Sequence, residues 1–139
     1  MTELPPNAIA ALTAGSGRGF TVLCLIPEAG LLRALAATAG PTGLVLAAAP
    51  APPAGEGWSA VRCDPAEAIP VRAHVIDAAV LAQTPDLPAV ADEVRRVLVP
   101  AGDVRLIVAG PEQPDAALTG AGIRPLRRDP SGVLVCRGP

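Results

Sequence analysis

An α/β fold built on a mostly parallel sheet is what this sequence predicts, and three observations carry the prediction. Short runs of Val, Ile, Leu and Ala recur along the chain, each about as long as a strand buried on both faces. Between several of them lie Ala/Leu-rich stretches whose apolar residues follow helical spacing. The last two runs are close together and joined by the turn sequence Asp129-Pro130-Ser131-Gly132, which folds them into an antiparallel hairpin.

Taken in order, residues 5–14 read as a short leading helix, with proline tolerated in its first turn. Residues 15–19 are Gly-Ser-Gly-Arg-Gly. A phosphate-cradling loop follows a strand and opens a helix, whereas this one precedes a strand, so it is a connector with no cofactor role. Residues 21–26 form the first strand and residues 31–36 an Ala/Leu-rich helix. Residues 43–49 form the second strand. The next stretch, residues 50–57, holds three prolines and two glycines, which excludes a helix. The crossover must then run extended, and part of one sheet face loses its cover, although parallel sheets are normally buried on both faces. Leu44 and Leu46 are the side chains expected to want a lid. Trp58, at the end of this loop, is expected to plug the gap.

The third strand ends near Val61, and residues 75–82 form the fourth. Residues 88–98 read as a helix with Val90, Val94, Val97 and Leu98 inward and Asp92, Glu93, Arg95 and Arg96 mostly outward. Residues 103–109 form the fifth strand, and residues 124–128 and 132–137 the closing hairpin. This makes seven strands in a single domain spanning 1–139, with the leading helix and connector in 1–19 and the core in 20–137.

Composition narrows the function classes. Half of the 139 residues are apolar and 17% are charged, which is globular rather than disordered. A formal net charge of −2 argues against a general nucleic-acid binder. All eleven cationic residues are arginine, and with the abundant Ala, Gly and Pro this reflects a GC-rich bacterial genome rather than a function. The first residues carry no basic region followed by an apolar core, and no apolar run is long enough to cross a bilayer, so a cytoplasmic protein is expected. Cys24, Cys63 and Cys136 fall in or beside three different strands without metal-ligand spacing. They are expected to be free thiols acting as small apolar residues, with no metal bound.

Five segments, in order and spacing, carry a resemblance to a known family. They are residues 22–30, residues 40–49, residues 61–70 around Asp64, residues 77–86, and Glu93-Val94-Arg95-Arg96-Val97-Leu98-Val99-Pro100-Ala101-Gly102, with residues 118–124 leading to the last hairpin. Together they resemble class I S-adenosylmethionine-dependent methyltransferases over about residues 20 to 137. The resemblance implies a Rossmann-like fold and a cofactor site at the strand ends. That site would need close backbone approach at the first strand-to-helix turn, a carboxylate on the ribose and a polar group at the adenine. Gly30 and Asp64 match family positions. Cys24, Ile26, Glu28 and Ala49 depart from them: Cys24 replaces an acid, Ile26 and Glu28 replace small residues, and Ala49 replaces the ribose carboxylate. Ile26 and Pro27 add bulk and stiffness, and Glu28 adds a charge that repels the methionine carboxylate.

The leading expectation is a methyltransferase-fold protein that has lost S-adenosylmethionine and serves assembly or support of a partner, as a homodimer or with another protein. No catalytic residue is assigned. The alternatives are an active small-molecule methyltransferase that binds S-adenosylmethionine through an atypical loop, and a module that binds another small ligand in the old cleft. For single residues two readings stay open. Asp64 is a helix N-cap followed by proline or an adenine ligand. His74 is a surface or capping residue or a general base. Arg124, Arg127 and Arg128 are a solvated edge or a patch for an acidic partner.

Overall fold

The computed structural model describes residues 4–109 and 113–139. Seven strands form one sheet in the order β3-β2-β1-β4-β5-β7-β6. β1 (Thr21–Cys24), β2 (Leu44–Ala49), β3 (Ser59–Arg62), β4 (Ile76–Ala82) and β5 (Leu98–Ile107) run parallel. β6 (Arg124–Arg128) and β7 (Val133–Arg137) form the antiparallel hairpin, with β7 inserted beside β5.

Helices cover both faces. α1 (Pro6–Thr13) and α2 (Ala29–Ala39) pack Leu12, Leu31, Leu32 and Leu35 on Val22, Val45, Ala47 and Val80. α3 (Leu87–Val97) and the short α4 (Asp115–Gly120) pack Val90, Val94 and Leu118 on Leu23, Ala79, Leu81 and Leu106. Val90, Val94, Val97 and Leu98 are all buried, as the periodicity of that segment requires. β5 begins at Leu98, before residue 103. Leu98 pairs with Ile76, the chain kinks at Ala101 (φ 58°), and regular pairing resumes at Asp103 opposite Ala78. β1 ends at Cys24, short of residue 26, because Pro27 and the cap of α2 follow at once.

The Pro-rich stretch between β2 and β3 contains no helix. Trp58 packs with the α1/α2 cluster, and its Nε1 donates to the Pro53 carbonyl at 2.9 Å. The loop curls so tightly beneath the indole that a side chain at Gly55 would clash with the Trp58 ring. On this face Val45 and Ala47 are buried, so the gap is closed from within. Leu44 and Leu46 need a different account from the one their sequence position suggests. Leu46 packs half-buried in the α3 cluster on the opposite face, and Leu44 stays 45% exposed.

That opposite face lacks a helix too, between β3 and β4, and residues 63–75 cover it as a loop. Ile69 is its plug, 1% exposed within the α3 cluster. Glu93 and Arg96 on α3 are not mere outward charges. Glu93 Oε1 accepts the Ile69 N–H at 2.7 Å, while Arg96 donates to the carbonyls of Ile69 (2.6 Å) and Val71 (2.9 Å) and to Glu93. One salt-bridged pair thus holds three backbone groups of the loop. Arg105 on β5, buried beneath α1, bonds Asp103 twice (2.8 and 3.1 Å) and the Ala11 carbonyl (3.3 Å). No helix among the described residues is long and apolar enough to cross a membrane.

Candidate functional site

In an open parallel sheet, ligands sit beyond the carboxyl ends of the strands where the strand order reverses. Here that point lies between β1 and β4. Around it converge the turn after β1, the end of β2, the turn after β3 and the β4–α3 turn. They enclose a cavity of about 230 Å³ whose lining includes Leu25, Ala49, Asp64, Leu81 and Asp86. Pockets for drug-sized ligands span roughly 300–1,000 Å³, so this one falls below that range. A wider hollow of about 580 Å³ lies outside it, between the β4–α3 turn and α4, and among the described residues Asp92 is the one charged side chain that lines it.

The first strand-to-helix turn does something its sequence does not advertise. Glu28, in extended conformation (φ −122°, ψ 118°), is the N-cap of α2. Its carboxylate accepts from the Gly30 N–H at 2.8 Å and the Leu31 N–H at 2.9 Å. These are the free amide donors that make a helix start an anion site. A carboxylate from the chain itself occupies them, favoured by the helix dipole. Gly30 is small for a local reason: a Cβ there would lie 3.1 Å from Glu28 Oε1. Ile26 turns away from the cavity into the α1/α2 cluster, 5% exposed. Cys24 is 1% exposed, and its thiol donates to the Ile26 carbonyl at 3.4 Å. Burial pushes that thiol up to about 12, and the nearby Glu28 charge adds to the effect.

Ala49 ends β2 at the cavity wall, 6% exposed, with only a methyl group to offer. Asp64 lies at the rim, exposed, and its Oδ1 accepts from the Ala66 N–H at 3.0 Å. It caps a single turn, with Glu67 and Ala68 amides on its carbonyl, and no helix follows. Pro70 disfavours helical geometry at Ile69, which dives into the core instead. Asp86 is a rim carboxylate the sequence reading did not single out; it precedes α3 without making a side-chain cap bond.

His74 lies far from this cavity. It takes a left-handed conformation (φ 58°) at the opposite end of the sheet, and its Nδ1 is 3.0 Å from the Leu98 carbonyl. Cys136 is buried, with its thiol also pushed up to about 12 by burial, and Cys63 is half-exposed with burial raising its thiol. No group of three metal-ligating side chains occurs among the described residues.

Glu28 stands out in the sequence as a misplaced charge but not as a helix cap, because caps are sought among Ser, Thr, Asp and Asn. The signal was present nonetheless: an acid immediately ahead of Ala29 and Gly30 at a helix start.

No protein-family model and no curated protein matches the sequence. Solved structures do match its fold. A S-adenosylmethionine-dependent methyltransferase from Aquifex aeolicus superposes with a TM-score of 0.71 at 18% identity, over 96% of this chain and 94% of that one. The 1,6-didemethyltoxoflavin-N1-methyltransferase of Burkholderia thailandensis, solved with bound 1,6-didemethyltoxoflavin and S-adenosylhomocysteine, gives 0.69 at 21% identity, over 96% and 77%. A chain of the complex between the Haloferax volcanii Trm112 methyltransferase activator and its candidate methyltransferase gives 0.74 at 16% identity, over 95% and 86%. The chain therefore has the class I methyltransferase fold, a mostly parallel seven-stranded sheet with an antiparallel C-terminal pair.

Proposed function

We propose that this is a cytoplasmic methyltransferase-fold protein that no longer holds S-adenosylmethionine and acts in assembly or support of a protein partner. The observation that carries the reading is the Glu28 carboxylate seated on the Gly30 and Leu31 amides. A cofactor with its own carboxylate would meet a fixed negative charge and donors already taken. Ala49 offers no acceptor to ribose hydroxyls at the end of β2. Each lost charge-assisted hydrogen bond costs about 1.5–3 kcal/mol, roughly tenfold to a hundredfold in affinity. Two such losses move a micromolar site to roughly 0.1–10 mM. Gly30 and Asp64 keep family-like positions, but the Gly30 amide is already taken by Glu28. Support for a partner role comes from the Haloferax volcanii complex, where a chain of this fold is solved with an activator protein. A second copy of this chain would serve equally, with exposed Leu44 as a contact.

Calorimetric titration with S-adenosylmethionine and S-adenosylhomocysteine to millimolar concentration tests this. No heat beyond dilution is expected from the native chain, and the double change Glu28→Gly with Ala49→Asp is expected to restore measurable binding. A micromolar Kd for the native chain overturns the reading and favours the active methyltransferase in its place.

A second reading rests on the 230 Å³ cavity, which persists although the cofactor contacts do not. Its apolar wall and two rim carboxylates, Asp64 and Asp86, suit a small ring compound that carries no negative charge.

A further inference from the structure

The C-terminal hairpin carries an arrangement of charge that stability alone does not explain. In β-sheet register, Arg124 on β6 stands directly opposite Arg137 on β7, and Arg127 stands opposite Val135. Paired residues share a face, as do residues two apart along a strand. Arg124, Arg127 and Arg137 therefore project from one face of the sheet, beside α1, and all three are exposed. The register continues onto β5, where Asp103 faces Arg137 and Arg105 faces Val135. This face thus presents four guanidinium groups and one carboxylate.

That carboxylate is committed. Asp103 bonds the buried Arg105 through both oxygens. Two other acids lie close by: Asp129, held by the Ser131 hydroxyl and amide, also attracts Arg127 and Arg105 at longer range, and Asp77, which shares a hollow with Arg137, accepts from the Thr21 amide. Among the described residues, none of Arg124, Arg127 and Arg137 has a carboxylate within ion-pairing distance.

Edge strands often carry charges that block unwanted pairing, and β6 is an edge with Pro125 and a bulge to the same end. This accounts for Arg124, Arg127 and Arg128 as single residues. It does not account for Arg137, which lies on an interior strand and sets two like charges directly opposite each other. Such a pair is destabilising. The cost is removed when an anion bridges both, and guanidinium forks favour carboxylates that bind in bidentate fashion.

We infer that this arginine face of the β6–β7 hairpin is a docking surface for an acidic segment of a protein partner. Resting on the partner-support reading above, it says where the partner sits. A nucleic acid is the less suited polyanion, since three cations on a chain of net charge −2 make no extended basic stripe.

The test is fluorescence anisotropy with a labelled glutamate-rich peptide, run beside a DNA duplex of matched charge, on the full chain. The native chain is expected to bind the peptide, with affinity falling as salt rises. Arg124→Glu is expected to weaken binding about tenfold or more and to raise Tm by roughly 2–5 °C, because the like pair becomes an opposite pair. Arg124→Gln is expected to weaken binding less without lowering Tm, and Arg33→Glu on α2 to leave it unchanged. The inference fails if Arg124→Glu binds the peptide like the native chain, if Arg124→Glu lowers Tm, or if the duplex binds at least as tightly as the peptide. Cofactor calorimetry reads the underlying functional reading separately, since micromolar S-adenosylmethionine binding would leave these results untouched.

Discussion

Two crossovers of the same handed sheet solve one physical problem in opposite ways. Between β1 and β2 the chain makes a full helix, α2, which brings Leu31, Leu32 and Leu35 onto the sheet as one side. Its backbone satisfies itself internally, and Glu28 finishes its open end. Between β3 and β4 the chain makes no helix, and residues 63–75 have no ladder of their own. The loop reaches the same end with one apolar plug, Ile69, and one borrowed clamp, the Glu93–Arg96 pair on α3. A helix spreads its anchoring over many residues, whereas the loop concentrates it in three side chains. The comparison teaches that helical cover is dispensable where a neighbouring helix supplies hydrogen bonds for exposed backbone.

If so, damage to the two crossovers differs in size. Ile69→Ala is expected to have the largest effect, a loss of about 2–4 kcal/mol in urea unfolding, since the plug is buried and the loop cannot collapse around the void. A loss below about 1 kcal/mol would show that the loop contributes little. Glu28→Ala is expected to cost less, about 0.5–2 kcal/mol, by the same measurement. Hydrogen exchange should then quicken at Gly30 and Leu31 and stay unchanged at Ile69. Equal quickening at both places would break the distinction between self-contained helix and clamped loop.

The smallest effect is expected from pH. The Arg96 hydrogen bond, aided by the Ile69 amide, holds Glu93 below its usual value of 4.5. A depressed carboxyl contributes stability that is complete above its unfolded pKa and is lost as pH falls through the folded one. The Ile69 amide resonance is therefore expected to titrate with a midpoint below 4.5, and no change is expected between pH 5 and 8 from this group. A midpoint at or above 4.5 would mean that the clamp is open in solution. The Arg96 guanidinium that holds Glu93 is exposed and screened by solvent, so the effect on global stability stays small.

Much of this molecule was legible in its residues. Apolar runs located β1, β2, β4, β5 and β7, the turn at residues 129–132 brought in β6, the family resemblance placed β3, and the valine spacing of α3 named its buried face. Three prolines between β2 and β3 excluded a helix there, and Trp58 was the evident plug. These features are local: each depends on side chains within one or two turns of each other. The resemblance to methyltransferases put the candidate site at the ends of β1 to β4, and the departures at Cys24, Glu28 and Ala49 were visible as residue types.

What the tertiary structure alone decided was the partners of charged groups. Glu93 and Arg96 read as a solvated face because their spacing on α3 points away from the main core. Their targets are loop atoms 24 to 27 residues away. Arg105 sits in an otherwise apolar strand with nothing in its neighbours to mark a partner, and its guanidinium reaches a carbonyl 94 residues back in the chain. Arg137 acquired its meaning only when register set it opposite Arg124. The physical reason is range. Periodicity and turn chemistry act between neighbours and so are written in the sequence, while a hydrogen bond or charge pair across the fold depends on distances that exist only after the strands have been ordered and paired.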